Sequence, residues 1–162
     1  GESDGPFPSE TSVYEDAEAA LGALVHEWRV KPENVYVYGH SLGAAVAIDL
    51  ASKHPELGGL IVESAFTSIY DMARLDSKYD LFPVGLLLNQ RFESLKKVSR
   101  LHVPVLYIHG TADRVIPYSM GVALYQHSGG RKRFVAVAGG GHDDNAAVAP
   151  VEVASALREL IR

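Results

Sequence analysis

Two patterns of apolar and polar residues alternate along this chain. Continuous apolar runs rich in β-branched residues predict strands buried on both faces, at 35–38, 59–63, 103–109 and 132–138. Apolar residues at helical spacing predict helices at 42–53 and at 117–127, and a last helix with one apolar face: Val153, Leu157, Leu160 and Ile161. This alternation predicts an α/β fold, in which a parallel sheet is flanked by helices on both faces.

The segment before the first strand also has a helical pattern. Ser12 to Glu15 have the form of a capping box, so we expect Ser12 to begin this helix. Apolar residues at helical spacing predict its core face: Val13, Ala17, Leu21, Leu24 and Trp28. We expect Pro32 to close the segment.

Composition narrows the range of functions. The chain has 162 residues, 47% of them hydrophobic, which predicts a single domain with an ample core. A net charge of −5 without a basic stripe argues against a nucleic-acid partner. No apolar run approaches the roughly 18 residues of a membrane span. The opening residues lack the pattern of a signal peptide, so a cytoplasmic location is the expectation.

We also expect neither a cofactor nor a metal. The absence of cysteine excludes disulfides, thiol nucleophiles and Cys-based metal sites, although it leaves the redox compartment open. Gly139-Gly140-Gly141 is not followed by Lys and Ser or Thr, so it is not a phosphate-binding P-loop. The sequence shows no metal-ligand spacing.

Gly39-His40-Ser41-Leu42-Gly43 carries the strongest chemical signal. A Gly-x-Ser-x-Gly turn between a strand and a helix predicts a nucleophile elbow, which lifts the serine hydroxyl off the strand end. We expect both glycines to be required, because a side chain at either position would crowd the turn. The Leu42 N–H would face a developing oxyanion. The alternative is a glycine-rich turn with an idle serine.

A serine nucleophile needs a base, and the base needs an orienting carboxylate. Asp113 follows the strand at 103–109, and His142 follows the strand at 132–138. The order Ser41, Asp113, His142 is that of an α/β-hydrolase triad. Glu63, just after another strand, is a rival acid. Of the other histidines, His26 and His54 are interpreted as exposed helix positions, and His102 and His127 as lying near the ends of elements. The remaining two are interpreted as packing or supporting residues: His40 and His109.

Four stretches together resemble the α/β-hydrolase superfamily, in its branch of small serine-aminopeptidase-like (S33-type) serine hydrolases, which includes protein depalmitoylases. They are Gly39 to Ala47, Glu63 to Ser68, His109 to Pro117, and Gly141-His142. The resemblance covers nearly the whole chain. It implies that Ser41 is the nucleophile, Asp113 the acid, His142 the base and Leu42 an oxyanion donor. It also implies that segment 66–100 is a short cap insertion in a single domain over 1–162.

The chain departs from the family at its front. About eight strands are expected, four of them before the elbow strand, so this chain looks like the C-terminal two-thirds of a domain. The loop that supplies a second oxyanion donor is then missing, and strand 35–38 is left with an unpaired inner edge.

The sequence therefore predicts a serine hydrolase that cleaves a carboxylic ester or thioester, of a small molecule or an acyl-protein, through an acyl-enzyme. A peptidase or amidase is the alternative within enzymes, and a non-catalytic fragment or binding module is the alternative outside them. Oligomeric state is left open. Four residues are candidates for contact with the substrate, although the apolar ones could equally pack on the sheet: His40, Phe66, Ile116 and Leu87.

Overall fold

The computed structural model describes residues 8–75 and 89–162. In these ranges the chain forms a four-stranded parallel sheet in the order β1-β2-β3-β4. The strands are β1 (Tyr36–His40), β2 (Gly59–Glu63), β3 (Val105–Gly110) and β4 (Lys132–Val137). Each predicted strand is confirmed, with ends shifted by no more than two residues. His40 pairs with Glu63, and Gly110 pairs with Val137, so the carboxyl ends of the strands lie along one edge.

Helices precede, connect and follow the strands. They are α1 (Glu10–Gly22), α2 (Leu42–Lys53), α3 (Ile69–Ala73), α4 (Ser94–Val98), α5 (Tyr118–His127), α6 (Asn145–Val148) and α7 (Pro150–Leu160). A π-helical turn (Ala23–Glu27) and a 3-10 turn (Pro32–Asn34) lie between α1 and β1. The prediction of a helix over 42–53 is confirmed. No helix within the described ranges has the length and apolar character needed to cross a membrane.

The first helix begins earlier than predicted. Ser9, and not Ser12, is its N-cap: the Ser9 side chain accepts a hydrogen bond from the Ser12 N–H. The Ser12 hydroxyl oxygen in turn accepts from the Ser9 N–H at 2.8 Å. Ser12 therefore takes the third helical position, where Glu or Gln usually completes the capping box. The capping box is therefore present, but it begins at Ser9, three residues before the predicted position.

The apolar face of this segment also ends earlier than predicted. Leu21 is buried, whereas the Trp28 side chain is 73% exposed. The π-helical turn between them winds the chain more slowly than an α-helix does, so Trp28 rotates out of the expected stripe.

The sheet separates two layers of apolar packing, which confirms helices on both faces. Side chains alternate along β3: Val105 and Tyr107 pack with one layer, Leu106 and Ile108 with the other. The first layer includes buried residues of α2, α4 and α5: Ala44, Ala47, Ile48, Leu50, Ala51, Val98 and Leu124. The second includes Val153, Ala156 and Leu160 of α7. Ile161, predicted on the same face, lies just beyond α7 and is exposed, so that prediction is wrong. β3 is buried along its whole length, and the loop that follows it is therefore carried on a rigid strand.

β1 lies at an edge of the sheet. In the described part of the chain its one ladder neighbour is β2. An apolar groove runs beside it, lined by residues of α1, β1 and α2 that include Leu21, Val37 and Val46. Of the predicted cap insertion, α3 and α4 are described, while positions 76–88 lie outside the described residues. The cap stays a prediction.

Candidate active site

Three residues with complementary chemistry meet at the carboxyl edge of the sheet. Ser41 follows β1, Asp113 follows β3, and His142 follows β4. Ligand sites of open parallel sheets form at this edge, because the loops after the strands converge there.

The backbone of Ser41 is strained in the way an elbow requires. Its φ is 55° and its ψ is −121°, and it is the N-cap residue of α2. A non-glycine residue at positive φ is costly and persists where the surrounding structure holds it. The Leu42 N–H opens α2, and the first N–H groups of a helix have no partner within the helix. The turn thus presents a hydroxyl and a free donor side by side.

The two glycines of the turn differ, which corrects one expectation. A Cβ on Gly39 would collide with the Gly43 carbonyl oxygen and would lie 2.6 Å from the Ala44 Cα. These are backbone atoms, so the collision cannot be relieved by a rotamer change. At Gly43, by contrast, no described atom beyond its neighbours and its own helix backbone lies within 4 Å of an added Cβ. Gly43 lines the open groove beside β1, and the prediction that it is sterically required is wrong.

A continuous hydrogen-bond chain links the three residues. Ser41 Oγ lies 3.1 Å from His142 Nε2, and His142 Nδ1 lies 2.8 Å from Asp113 Oδ2. A carboxylate only accepts, so Nδ1 carries the proton and donates to Asp113. In the neutral ring Nε2 then has the free lone pair, which accepts from the serine hydroxyl. This arrangement can move a proton from Ser41 to His142.

Asp113 is held in place by several donors. Its side chain is fully buried, and the His142 side chain is 12% exposed. Asp113 Oδ1 accepts from the N–H groups of Val115 and Ile116 at 2.8 and 2.9 Å. Burial acts to raise the pKa of Asp113, but the hydrogen bonds from His142, Ile116 and Val115 outweigh it and hold the pKa below its usual range. The acid is therefore ionised and aimed at His142.

His109, at the end of β3, adds a neutral support. Its Nε2 donates to the Ile116 carbonyl oxygen at 3.1 Å and lies 3.4 Å from Asp113 Oδ2. Burial lowers the pKa of His109. The predicted packing or supporting role fits this position.

The loop that carries His142 is braced through its own backbone. The His142 carbonyl oxygen accepts from Ser64 Oγ and from His40 Nε2, both at 2.9 Å. Ser64 is completely buried and has a φ of 47°. Asn145, also completely buried, donates from Nδ2 to Ser64 Oγ at 3.2 Å. The roles of Ser64 and Asn145 could not be predicted from the sequence, since an interior serine and an asparagine after Gly-His carry no motif of their own.

Glu63, the rival acid, has other partners. Its Oε2 accepts from the Tyr38 hydroxyl at 2.7 Å, and its Oε1 accepts from Asn145 Nδ2 at 2.9 Å. Burial, together with the hydrogen bond to Glu63, raises the pKa of Tyr38 to about 12. The nitrogen Nδ1 of His142 is bound by Asp113, so the geometry favours Asp113 over Glu63 as the orienting carboxylate.

The candidate substrate residues lie in different surroundings. Phe66 and Ile116 are buried in one cluster with Ala45, Phe92 and Met120, so they pack in the interior, which is the alternative that the sequence left open for them. His40 lies against the His142 ring, with ring centroids 4.8 Å apart. Leu87 lies outside the described residues. The Leu42 side chain is 47% exposed beside Ser41.

Comparisons with known proteins identify the sequence relatives of this chain. Residues 1–88 match the model of a protein family described as serine aminopeptidase, S33. Over 141 residues, 85% of this chain, the sequence is 37% identical to human alpha/beta hydrolase domain-containing protein 17B. The aligned region is 45% of that relative, so the chain spans less than half of its length.

Solved structures identify the fold. The esterase domain of a Rhodothermus marinus protein is similar, with a TM-score of 0.65 and 24% identity over 90% of this chain and 68% of that chain. An alpha-beta serine hydrolase homologue from Coxiella burnetii has a TM-score of 0.68 and 21% identity over 100% of this chain and 63% of that chain. The parallel sheet and its flanking helices are those of an α/β-hydrolase.

Proposed function

The chain belongs to the serine aminopeptidase, S33, family of hydrolases, and on that footing we propose that it is a serine hydrolase acting on carboxylic esters or thioesters. The observation that carries the proposal is the hydrogen-bond chain from Ser41 Oγ through His142 to Asp113. The family match ends at residue 88, before Asp113 and His142. Their roles therefore rest on the geometry of this chain.

The reaction proceeds in two halves. Ser41 Oγ attacks the carbonyl carbon while His142 Nε2 takes the hydroxyl proton, and a tetrahedral intermediate forms. His142 then gives this proton to the departing alcohol or thiol, which leaves an acyl ester on Ser41. A water molecule repeats the sequence and releases the acid, with His142 again accepting and returning a proton. Asp113 remains ionised throughout and stabilises the imidazolium.

Charge on the carbonyl oxygen is stabilised by the Leu42 N–H and by the N-terminal end of α2. Within the described residues, the Leu42 N–H is the donor that the elbow geometry supplies. Loss of one donor from an oxyanion hole costs on the order of 10²–10³ in rate. Esters and thioesters are favoured over the peptidase alternative because an alcohol or a thiol is a better leaving group than an amine.

Removal of the Ser41 hydroxyl tests the proposal. We expect Ser41→Ala to lower turnover of a short-chain p-nitrophenyl ester by about 10⁵–10⁶-fold, the scale seen when a triad serine is removed. A fluorophosphonate probe should label the unmodified protein and not this variant. Ser119→Ala, which removes an exposed serine of α5, is the matched control and should be labelled normally.

Two results would count against the assignment. Labelling retained in Ser41→Ala would move the nucleophile elsewhere. Failure of the folded, unmodified protein to react with the probe would favour the non-catalytic alternative.

A further inference from the structure

Three potential metal ligands meet beside the candidate triad. One ring nitrogen each of His40 and His142 and one carboxylate oxygen of Asp143 lie within 4.8 Å of one another. The sequence predicted no metal site, because His40 and His142 are far apart in the chain and meet only when β1 and β4 join the same sheet. Two imidazoles and one carboxylate, with a further position open, form a ligand set that zinc commonly takes.

His40 and Asp143 are open to solvent, whereas the His142 side chain is 12% exposed. His40 Nε2 lies 3.5 Å from Asp143 Oδ1, and the two side chains are 29% and 80% exposed. Asp143 has the highest exposure in the cluster, so it can reorient toward an incoming cation at little cost. His40 is the last residue of β1, and His142 and Asp143 lie in the loop that follows β4.

At His40, binding would exchange one interaction for another and still leave the His142 carbonyl oxygen with a donor. His40 Nε2 now donates to the His142 carbonyl oxygen, and a metal on this nitrogen would replace the proton. Ser64 Oγ would still donate to the same oxygen at 2.9 Å. The backbone brace of the His142 loop thus survives the exchange.

We propose that His40, His142 and Asp143 form an inhibitory site for a divalent transition metal of the zinc type. The ligand set contains two nitrogens, which favours Zn²⁺ over Mg²⁺ and Ca²⁺, the cations that prefer oxygen. Both nitrogens of His142 already act in the hydrogen-bond chain, Nδ1 toward Asp113 and Nε2 toward Ser41. A metal on either nitrogen breaks one link, so occupancy of the site stops proton transfer. The inference that a bound metal inhibits hydrolysis rests on the proposed function, whereas metal binding itself does not.

Direct binding is the first test. Zinc chloride is titrated into the metal-free protein against a chromogenic chelator, with magnesium chloride as the comparison cation. We expect one Zn²⁺ per chain, no competition from Mg²⁺, and binding weakened at least about tenfold in Asp143→Asn. Asp16→Asn removes the same charge from an exposed position on α1 and should bind as the unmodified protein does. Equal Zn²⁺ affinity in all three proteins, or no binding in any, would overturn the site.

Activity is the second test and separates this proposal from the first. Without metal, Asp143→Asn should hydrolyse the p-nitrophenyl ester at the unmodified rate, and Zn²⁺ should inhibit it at least about tenfold less strongly. A chelator should restore the unmodified enzyme. Asp143-dependent Zn²⁺ binding in a protein without hydrolysis would leave the metal site standing and remove the proposed function. Hydrolysis that Zn²⁺ inhibits equally in both proteins would remove the inhibitory site and leave the function standing.

Discussion

Ser41 and His142 are held by two loops that are built in different ways. The turn from Gly39 to Gly43 is shaped by its own backbone, through the close approach of Gly39 to Ala44 and the start of α2. The loop around His142 is shaped by side chains that are 29 to 102 residues away in sequence. A loop of the first kind can be recognised from five consecutive residues. A loop of the second kind exists only once the whole sheet has assembled.

Among the variants that test this contrast, the largest effect is expected at Asp113, the distant residue that contacts the His142 ring. Asp113→Asn removes the carboxylate that fixes the tautomer of His142, so we expect kcat to fall by about 10³–10⁴-fold with KM nearly unchanged. Steady-state kinetics on the p-nitrophenyl ester measures both constants. Glu63→Gln is the matched control, because Glu63 bonds to Tyr38 and Asn145 instead of His142. A severe loss in Glu63→Gln with a mild one in Asp113→Asn would reverse the assignment of the acid.

The next effect tests whether the serine turn is held by its backbone. Gly39→Ala should lower the free energy of unfolding by at least about 3 kcal/mol, because its Cβ meets backbone atoms that cannot move aside. Gly43→Ala should leave stability unchanged or raise it by up to about 1 kcal/mol, since alanine favours the helix and the space is open. Urea unfolding of both variants gives the comparison. Similar losses at the two positions would show that the turn is crowded throughout.

A smaller effect tests the brace on the His142 carbonyl. Ser64→Ala removes one of two donors to that oxygen and an acceptor for Asn145 Nδ2, so we expect a loss of about 1–2 kcal/mol in stability. The looser His142 should also lower kcat by about tenfold, with KM unchanged. Ser52→Ala is the control, because its hydroxyl donates to the Asp49 carbonyl oxygen within α2. An unchanged kcat in Ser64→Ala would mean that His40 alone is sufficient as a brace.

The smallest effect lies outside both loops. Burial acts to lower the pKa of His54, but hydrogen bonds to Glu56 and Glu18 outweigh it and raise the pKa above its ordinary value. Protonated His54 thus stabilises the fold below about pH 6.5, and this contribution is lost as the pH rises through the raised pKa. We expect His54→Gln to cost less than about 1 kcal/mol at pH 5.5, because exposed ion pairs are screened, and nothing at pH 9. Unfolding at both pH values checks this. A loss of stability in His54→Gln that grows as the pH rises would contradict a raised pKa for His54.

The sequence predicted most of the strands and helices because their signals are local. Continuous apolar runs placed β2 and β3, and the Gly-x-Ser-x-Gly turn placed Ser41 at the start of α2. The predictions were wrong where the local backbone geometry differs from the regular helix that the sequence pattern implies. The π-helical turn rotates Trp28 away from the core face. The capping-box contact that was expected of the Glu15 carboxylate is made by the Ser12 hydroxyl.

Other features could not be read from the sequence because they are made between distant segments. The hydrogen bonds that brace His142 join the ends of β1 and β2 to the loop after β4. No pattern within any one of these segments predicts them. The cluster of His40, His142 and Asp143 has the same origin. The openness around Gly43 follows from the position of β1 at the sheet edge, which the motif itself does not report.

The separation of 101 residues between Ser41 and His142 has a consequence for how the chain acquires its chemistry during folding. Closing a loop of that length carries a large entropic cost before the contact rewards it, so this hydrogen bond belongs to the late, slow part of folding. The strand-turn-helix unit of Ser41 is local and forms much sooner. On the proposed function, we expect Ser41 to stay unreactive toward the probe until β4 docks, so that recovery of probe reactivity during refolding follows the last step of assembly.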